Sequence, residues 1–172
     1  IYRISTYIVV IIQKKLRVEK KLLYSISGED MDEQEKQKFM EATLAQPVLA
    51  RLATANPHSL QPHVVPVWFW WDGEAIWISA FNSTRKVKDL QKNLRCAVLV
   101  EPKEDTPGLR GILFEGQAEL IAQPDPRVAQ VAAVIYERYV GAEGMQDPEV
   151  QSWLADAENT LVYLKPEKIR VF

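Results

Sequence analysis

The feature that most constrains the fold of this chain is a series of short apolar segments separated by tight-turn signals. Asp72-Gly73 is the strongest signal, because this dipeptide readily adopts the backbone angles of a two-residue hairpin turn. Residues 63–71 before it and residues 75–80 after it have the composition of β-strands. Residues 48–55 form an earlier strand, which the turn-type sequence 56–59 follows. We therefore predict an antiparallel meander of three strands in this part of the chain.

The remainder of the chain adds short helices and further strands. A capping box, in which Asp32 is followed by Glu35, and the Asp-Pro pairs at 125–126 and 147–148 mark helix starts. The predicted helices are 32–45, 84–91 (capped by Asn82 or Ser83), 125–140 and 147–157, and the further strands are 95–101, 112–121, 160–164 and 169–172. Strands in hairpin order with few helices are typical of a small β-barrel, not of a doubly wound sheet. We therefore predict a mainly β, antiparallel barrel fold.

Composition and charge exclude several classes of protein. The chain has 172 residues, enough for one domain with or without an appendage. Its formal net charge of -2 argues against a nucleic-acid partner, because general nucleic-acid binding relies on a positive field. Two histidines and a single cysteine, Cys96, exclude a His-rich metal site and an intrachain disulfide. We expect no metal and, from the lone cysteine, a cytoplasmic location.

The first thirty residues differ in composition from the rest. The apolar run at 7–12 is too short to span a bilayer, and the basic segment 14–21 follows it, unlike the order in a signal peptide. We interpret residues 1–30 as an upstream or non-native extension and residues 31–172 as a single domain that begins at Met31. A short strand and a basic helix packed on the domain are the alternative. We expect no membrane partner.

A candidate anion site lies where a predicted strand leads into a predicted helix. Ser83, Thr84, Arg85 and Lys86 place two hydroxyls and two cations on this turn. Backbone N–H groups at a helix start, together with such side chains, favour binding of a phosphate. The alternative is an ordinary capped surface helix with solvated cations, because Ser-Thr caps are common.

Arg51 is a second candidate for the anion site. It stands among apolar neighbours in a predicted strand, and a cation inside a barrel needs an anionic partner. That partner is either a phosphate held jointly with Lys86, or the carboxylate of Glu101 or Glu115. The sequence favours neither over the other.

The segment 63–71 is a candidate site for a flat ring. Pro66 has no N–H to donate, so it interrupts a strand that is otherwise central in character. The backbone groups left free there suit the polar edge of a heteroaromatic ring such as a flavin. The tryptophans at 68, 70, 71 and 77 flank such a ring or a dimer seam, or they are core packing. His63 has no acidic partner at a defined spacing, and we assign no catalytic residue.

Taken together, this order of elements resembles the flavin-binding split-barrel superfamily that includes pyridoxamine 5'-phosphate oxidase. The matching segments are Arg-x-Ala-Thr at 51–54, Pro-His-x-x-Pro-x-Trp-Phe at 62–69, Asp-Gly at 72–73, the Ser/Thr-x-Lys turn at 83–86, Leu-x-x-Asn-Pro-Arg at 90–95 with Leu94 in place of the proline, and Glu-Gly-x-Ala-Glu-Leu at 115–120. The resemblance extends from about residue 39 to residue 172. It implies a six-stranded split barrel and a homodimer with two cofactor sites at its interface.

The resemblance also implies which residues hold the cofactor. Phosphate contacts are expected from Arg51, Ser83, Thr84 and Lys86, and ring contacts from the backbone of Val65, Pro66, Val67 and Trp68. Ala53 and Thr54, from the first motif, and Arg85, from the phosphate turn, complete the expected site. Gln117, or a residue from the helix that contains Trp153, is expected to reach it from the second subunit.

The function implied is that of an FMN-dependent oxidoreductase that transfers hydride between the flavin and a small substrate. No protein nucleophile is required, because the cofactor carries the chemistry. The arginine-rich C-terminal segment with which pyridoxamine 5'-phosphate oxidases hold their substrate is not found, so the substrate stays open. The alternatives are a reductase that uses the deazaflavin coenzyme F420, a non-catalytic flavin-binding module, and a structural barrel whose aromatic residues serve dimerisation.

Overall fold

The computed structural model describes residues 31–103 and 110–172. Its strands are β1 (Ala50–Ala55), β2 (Pro62–Val67), β3 (Trp70–Trp71), β4 (Ile76–Phe81), β5 (Arg95–Val100), β6 (Ile112–Ala122), β7 (Asn159–Leu164) and β8 (Lys168–Val171). Its helices are α1 (Glu33–Ala45), α2 (Arg85–Leu90), α3 (Pro126–Gly144) and α4 (Pro148–Ala155). The predicted extension at residues 1–30 lies outside the described residues, and the interpretation of 31–172 as a single domain stays a prediction. None of the described helices is long and apolar enough to cross a membrane.

The strands form one antiparallel sheet that curls into a barrel. Their order is β2-β1-β5-β6-β7-β4-β3, and β8 pairs with the first residues of β6 on the edge opposite to β5. β2 and β3 occupy opposite ends of this order although only Trp68 and Phe69 separate them along the chain. The Cα atoms of Val67 and Trp70 therefore lie within about 11 Å of each other, which is the reach of three peptide units. Because the two edges must approach each other, the sheet is a split barrel, and the mainly β prediction is confirmed.

The prediction of one strand over residues 63–71 is wrong. The segment is divided into β2 and β3, and β4 pairs with β3 and β7 but not with β2. The predicted three-stranded meander is therefore confirmed only for the pairs β1–β2 and β3–β4. This division and the short C-terminal strand β8 are why the described residues form eight strands and not six.

Local signals position the helices largely as predicted. The capping box of α1 is complete, since the Glu35 N–H donates to Asp32 and the Asp32 N–H donates to Glu35. Asp125 and Asp147 cap α3 and α4. α3 runs past the predicted end at residue 140 by bending at Gly141, whose φ of 71° suits glycine. α2 begins one residue later than predicted: its N-cap is Thr84, not Asn82 or Ser83, and the Thr84 side chain makes no capping hydrogen bond.

Alternating side chains of the strands fill the barrel. Those that point inward are almost fully buried: Leu52, Val67, Val98, Val100, Ile112 and Phe114 on one side, and Ile76, Ile78, Val162 and Leu164 on the other. Val87 and Leu90 of α2 join the same core. Burial of this apolar surface is the main stabilising contribution to the fold, and it fixes which side chains of each strand remain available outside the barrel.

Candidate functional site

The strand register divides the predicted cofactor residues between the two faces of the sheet. Arg51 lies opposite Pro66 of β2 and Leu99 of β5, and Ala53 lies opposite Val64 and Ala97. Paired residues of adjacent strands point to the same side. We call this side the outer face; it consists of Arg51, Ala53, Val64, Pro66, Ala97, Leu99, Leu113, Glu115 and Gln117. Arg51 and Pro66 are exposed there, and Ala53 is half-buried.

Three other predicted residues point to the inner face. Thr54 and Val67 are buried, and Val65 packs against the core. Their side chains are therefore not available to a cofactor outside the barrel, and only their backbone groups are. This agrees with the expectation that Val65, Pro66 and Val67 contribute backbone contacts to a ring. β2 is an edge strand that pairs only with β1, so its other edge carries unpaired N–H and C=O groups.

Arg51 forms an ion pair with Glu101, at the end of β5. This was one of the two partners that the sequence left open. Half of the Arg51 side chain is exposed to solvent, so the guanidinium can also be reached from the outer face.

The Ser83-Thr84 turn offers fewer free donors than the sequence suggests. The Ser83 N–H donates to the carboxylate of Glu158, at 3.1 Å. The Thr84 hydroxyl donates to the carbonyl oxygen of Phe81, at 2.6 Å, and keeps only its acceptor capacity. Because α2 has only six residues, its dipole contributes little. An anion at this turn therefore depends on the cationic side chains.

Lys86 is a cation of this turn for which the described residues provide no carboxylate partner. Its side chain is half-buried, and within the described part of the chain it has no hydrogen bond or ion pair. Partial burial of the ammonium group lowers the pKa of Lys86, because the charged form loses hydration. A desolvated cation without a carboxylate partner is stabilised by an anionic ligand.

Arg85 differs from its neighbour because a carboxylate already compensates its charge. Asp89, one turn further along α2, is only 3% exposed. It lies 3.5 Å from the Arg85 Nε atom and accepts hydrogen bonds from Thr54 at 3.5 Å and Asn56 at 3.3 Å. Asp89 thus joins α2 to β1 and holds Arg85. Sequence analysis missed it, although an acid four residues after Arg85 is a recognisable pairing signal.

Trp68 belongs to an aromatic cluster between the barrel and α3. Its ring is stacked on Tyr139, with centroids 4.9 Å apart and an interplanar angle of 4°. It also makes edge contacts with Tyr136 and Trp153. The Trp68 side chain is therefore occupied by packing within the chain, as are Trp70 and Trp77, which stack on each other.

Gln117 lies exposed at the far side of the outer face. It lies on β6 and pairs with Arg95 of β5. Since β5 pairs with β1, β6 is the second strand from β1. Adjacent strands are about 4.8 Å apart, so about 10 Å separates β6 from β1. The structure thus places Gln117 and Arg51 on one face without bringing them into contact.

The structure also describes the Cys96 thiol and the side chains that could ligate a metal ion. Burial raises the pKa of the Cys96 thiol to about 11, so this thiol is not a nucleophile at neutral pH. Within residues 31–103 and 110–172, no group of histidine, cysteine and acidic side chains could hold a metal ion.

Comparison with known families shows which family the chain belongs to. The pyridoxamine 5'-phosphate oxidase model matches residues 37–171, which is most of the chain. This chain belongs to the pyridoxamine 5'-phosphate oxidase family. The resemblance inferred from the Arg51–Thr54, Pro62–Phe69 and phosphate-turn motifs is therefore confirmed.

Solved structures related to this family member agree. The conserved hypothetical protein Rv2991 from Mycobacterium tuberculosis has 26% sequence identity and a TM-score of 0.65, over 83% of this chain and 84% of that one. An F420 reductase has 25% identity and a TM-score of 0.60, over 76% of this chain and 94% of its own. A protein described as a pyridoxamine 5'-phosphate oxidase from Listeria innocua, with 19% identity and a TM-score of 0.58 over 80% and 97%, shares the fold. Among curated proteins, none matches the chain.

Two grooves in the described part of this family member do not coincide with the predicted site. Two grooves of about 330 and 560 Å³ flank helix α1. Neither is lined by a predicted cofactor residue: the first lies between α1, Trp71 and Arg138, and the second between α1 and β8. Of the predicted residues, Arg51, Pro66 and Gln117 are exposed on the outer face, whereas Thr54, Val65 and Val67 point into the barrel.

Proposed function

We propose that this protein is a homodimeric, FMN-dependent oxidoreductase that transfers hydride between the flavin and a small substrate. The observation that carries the proposal is Lys86, a half-buried cation for which the described residues provide no carboxylate. Membership of a family whose namesake is an oxidase gives that cation an expected ligand, the phosphate of FMN. FMN, when bound, supplies the redox chemistry, and the chain supplies binding and orientation.

The residues of this chain divide that task between the phosphate and the ring. Lys86 neutralises the phosphate by charge, and Arg51 reaches it from the outer face in exchange for part of its interaction with Glu101. The free edge of β2 offers backbone donors and acceptors to the polar side of the ring, with Pro66 removing one donor from the row. In this arrangement, the cofactor lies against the part of the outer face that includes Ala53.

A second copy completes the site in this proposal. The outer face carries exposed apolar side chains, of which Val64 is 58% exposed. Packing two outer faces against each other covers this apolar surface and brings Gln117 of one copy towards the cofactor of the other. We expect the dimer to work in the cytoplasm, in accord with the single thiol of Cys96.

Titration of the purified protein with FMN tests the phosphate site. We expect micromolar or tighter binding by the natural sequence and a loss of about tenfold or more in Lys86→Met, because a charge-assisted contact to the phosphate is removed. Lys88→Met is the matched control: it removes an equal charge from the exposed side of the same helix and should change the affinity less than twofold. Equal affinities of the Lys86 and Lys88 variants would contradict the assignment.

Reduction of the bound flavin tests whether the protein is an enzyme. Addition of NADH or NADPH, followed by oxygen or a quinone, should bleach and restore the flavin absorbance over repeated cycles. A protein that binds FMN at the Lys86 site but never cycles would instead be a non-catalytic flavin-binding module.

A deazaflavin reductase is the second candidate, and a specific observation favours it. The F420 reductase at 25% identity spans 76% of this chain, and the cations Arg85 and Lys86 suit the phosphate of either cofactor. The two are separated by titrating the same preparation with coenzyme F420 and with FMN. Tighter binding of F420, followed by reduction of an added acceptor by reduced F420 and not by reduced FMN, would establish the deazaflavin assignment.

A further inference from the structure

One side chain from α3, that of Tyr139, contacts the two-residue gap between β2 and β3. Phe69, in this gap, donates its N–H to the Tyr139 hydroxyl at 3.2 Å. The same hydroxyl donates to the carbonyl oxygen of Val48 at 2.7 Å. Burial raises the pKa of Tyr139, so its hydroxyl keeps the proton that it donates. Tyr139 thus joins the end of β2 to the segment that leads into β1.

The neighbouring residue on α3 holds the same segment. The Arg138 guanidinium donates to the carbonyl oxygens of Leu44, at 2.6 Å, and Gln46. Its Cζ atom lies 5.1 Å from the centre of the Phe69 ring, within the range of a cation–π interaction. Arg138 and Tyr139 therefore fix the carbonyls of residues 44, 46 and 48, the connection between α1 and β1.

The Tyr139 ring adds a second constraint on the strand break. It is stacked on the ring of Trp68 with a centroid distance of 4.9 Å. Trp68 directly follows Val67, the last residue of β2, so the stack and the hydroxyl hold two consecutive residues of the gap. A chain with two residues between two strands has few conformations left once both are fixed.

We propose that Tyr139 is a positioning residue of the cofactor site, which holds the 65–68 backbone in the conformation that receives the flavin ring. This inference rests on the proposed function, because it assigns that backbone to the ring. In this inference, binding of the flavin ring depends on Tyr139, and binding of the phosphate depends on Lys86. Tyr139 acts through Phe69 and Trp68, whereas α2 is joined to β1 through Asp89.

Ligands with and without the phosphate separate the two contributions. Tyr139→Phe keeps the stacked ring but leaves the Phe69 N–H and the Val48 carbonyl without their partner. We expect it to weaken the binding of FMN and of riboflavin by the same factor, about tenfold. Lys86→Met should weaken the binding of FMN strongly and that of riboflavin less than twofold. The two variants thus differ in whether the loss of affinity depends on the phosphate of the ligand.

Tyr136→Phe is the matched control for Tyr139→Phe. Tyr136 lies on the same helix and in the same aromatic cluster, but its hydroxyl interacts with Ser79, at 2.8 Å. We expect this variant to bind both ligands as the natural protein does. If Tyr139→Phe also binds both ligands like the natural protein, the positioning role is refuted while FMN binding stands. If the natural protein binds neither ligand, the proposed function fails, and this inference fails with it.

Hydrogen exchange of the natural protein supplies a test that needs no variant. Binding that uses the 65–68 backbone should slow exchange of the Phe69 amide, because stabilising the gap and binding the ring are reciprocally linked. We expect at least a fivefold slowing with saturating riboflavin, measured by NMR. Unchanged exchange at Phe69 in protein saturated with riboflavin would overturn the inference even if Tyr139→Phe did not fold.

Discussion

The two faces of the barrel wall differ in what occupies them. On the inner face, Leu52, Val98 and Phe114 are completely buried against one another. On the outer face, Arg51 of β1 and Gln117 of β6 are exposed, and Val64 of β2 is 58% exposed. Adjacent residues such as Leu113 and Phe114 therefore lie in opposite environments although both are apolar.

The difference shows that the inner face has its full complement of partners and the outer face does not. The side chains of the buried core pack against one another, as in the close-packed interiors of other proteins. The outer face combines apolar side chains with Arg51, half of whose side chain is exposed. Substitutions on the inner face should therefore change folding stability, and substitutions on the outer face should change association and ligand binding.

The largest expected effect comes from opening the core. Phe114→Ala removes a ring that is 0% exposed and should lower the free energy of unfolding by about 3–5 kcal/mol, measured by urea denaturation. Leu113→Ala, one residue earlier on the outer face, should cost less than about 1 kcal/mol when both are measured in the monomer range. Equal losses would show that the two faces are equally packed and would remove the basis of the comparison.

A charge on the outer face should break the proposed dimer. Val64→Glu would bury one charge from each copy in the proposed interface, and we expect the dissociation constant measured by sedimentation velocity to rise by about a hundredfold or more. Val134→Glu, at a valine of α3 that is 42% exposed, is the control and should leave the dimer intact. A natural protein that sediments as a monomer at micromolar concentration would contradict the role assigned to this face.

Arg51 tests whether the outer face contacts the cofactor. Arg51→Met should lower the affinity for FMN, measured by calorimetry, about tenfold, because a cation near the phosphate is lost. Arg170→Met is closely matched: both arginines are about half exposed, at 50% and 52%, and each is paired with a glutamate of the same sheet. Since Arg170 lies on β8, away from β1, its variant should change the affinity less than twofold. A larger loss of affinity in Arg170→Met than in Arg51→Met would show that the FMN phosphate binds near β8 and not near β1.

The smallest expected effect is the pH dependence of binding. The pKa of Lys86 lies below its ordinary value because the ammonium group is partly buried. A bound phosphate favours the charged form, so FMN affinity should be highest below this pKa and should fall as the pH rises through it. We expect a decrease of about three- to fivefold between pH 8 and pH 10 in the natural protein, and a smaller one in Lys86→Met. Parallel pH profiles would exclude Lys86 as the group responsible.

The parts of this fold that sequence analysis predicts are those determined by neighbouring residues. Asp72-Gly73 forms the expected tight turn, with Gly73 at a φ of 103° and the Asp72 carboxylate accepting from the N–H groups of Glu74 and Ala75. The capping box at Asp32 depends on two residues three positions apart. Each signal and its effect lie within one turn of chain, where intrinsic preferences decide the conformation.

The parts that sequence analysis misses depend on distant residues. Residues 63–71 have no internal turn signal, and in the gap between β2 and β3 the Phe69 N–H donates to the Tyr139 hydroxyl, seventy residues away, and not to a neighbouring strand. Arg51 had two plausible acids, and only the register of β1 with β5 brings it beside Glu101. The cofactor residues of the outer face were identified by resemblance to the family, and their contacts with FMN stay a prediction.

The absorption spectrum of the purified protein, with mass spectrometry of the small molecule released from it, tests the central claim most directly. The account predicts flavin absorption bands and the mass of FMN, at up to one molecule per chain after incubation with FMN. A colourless protein that retains neither FMN nor F420 at micromolar concentrations would contradict it.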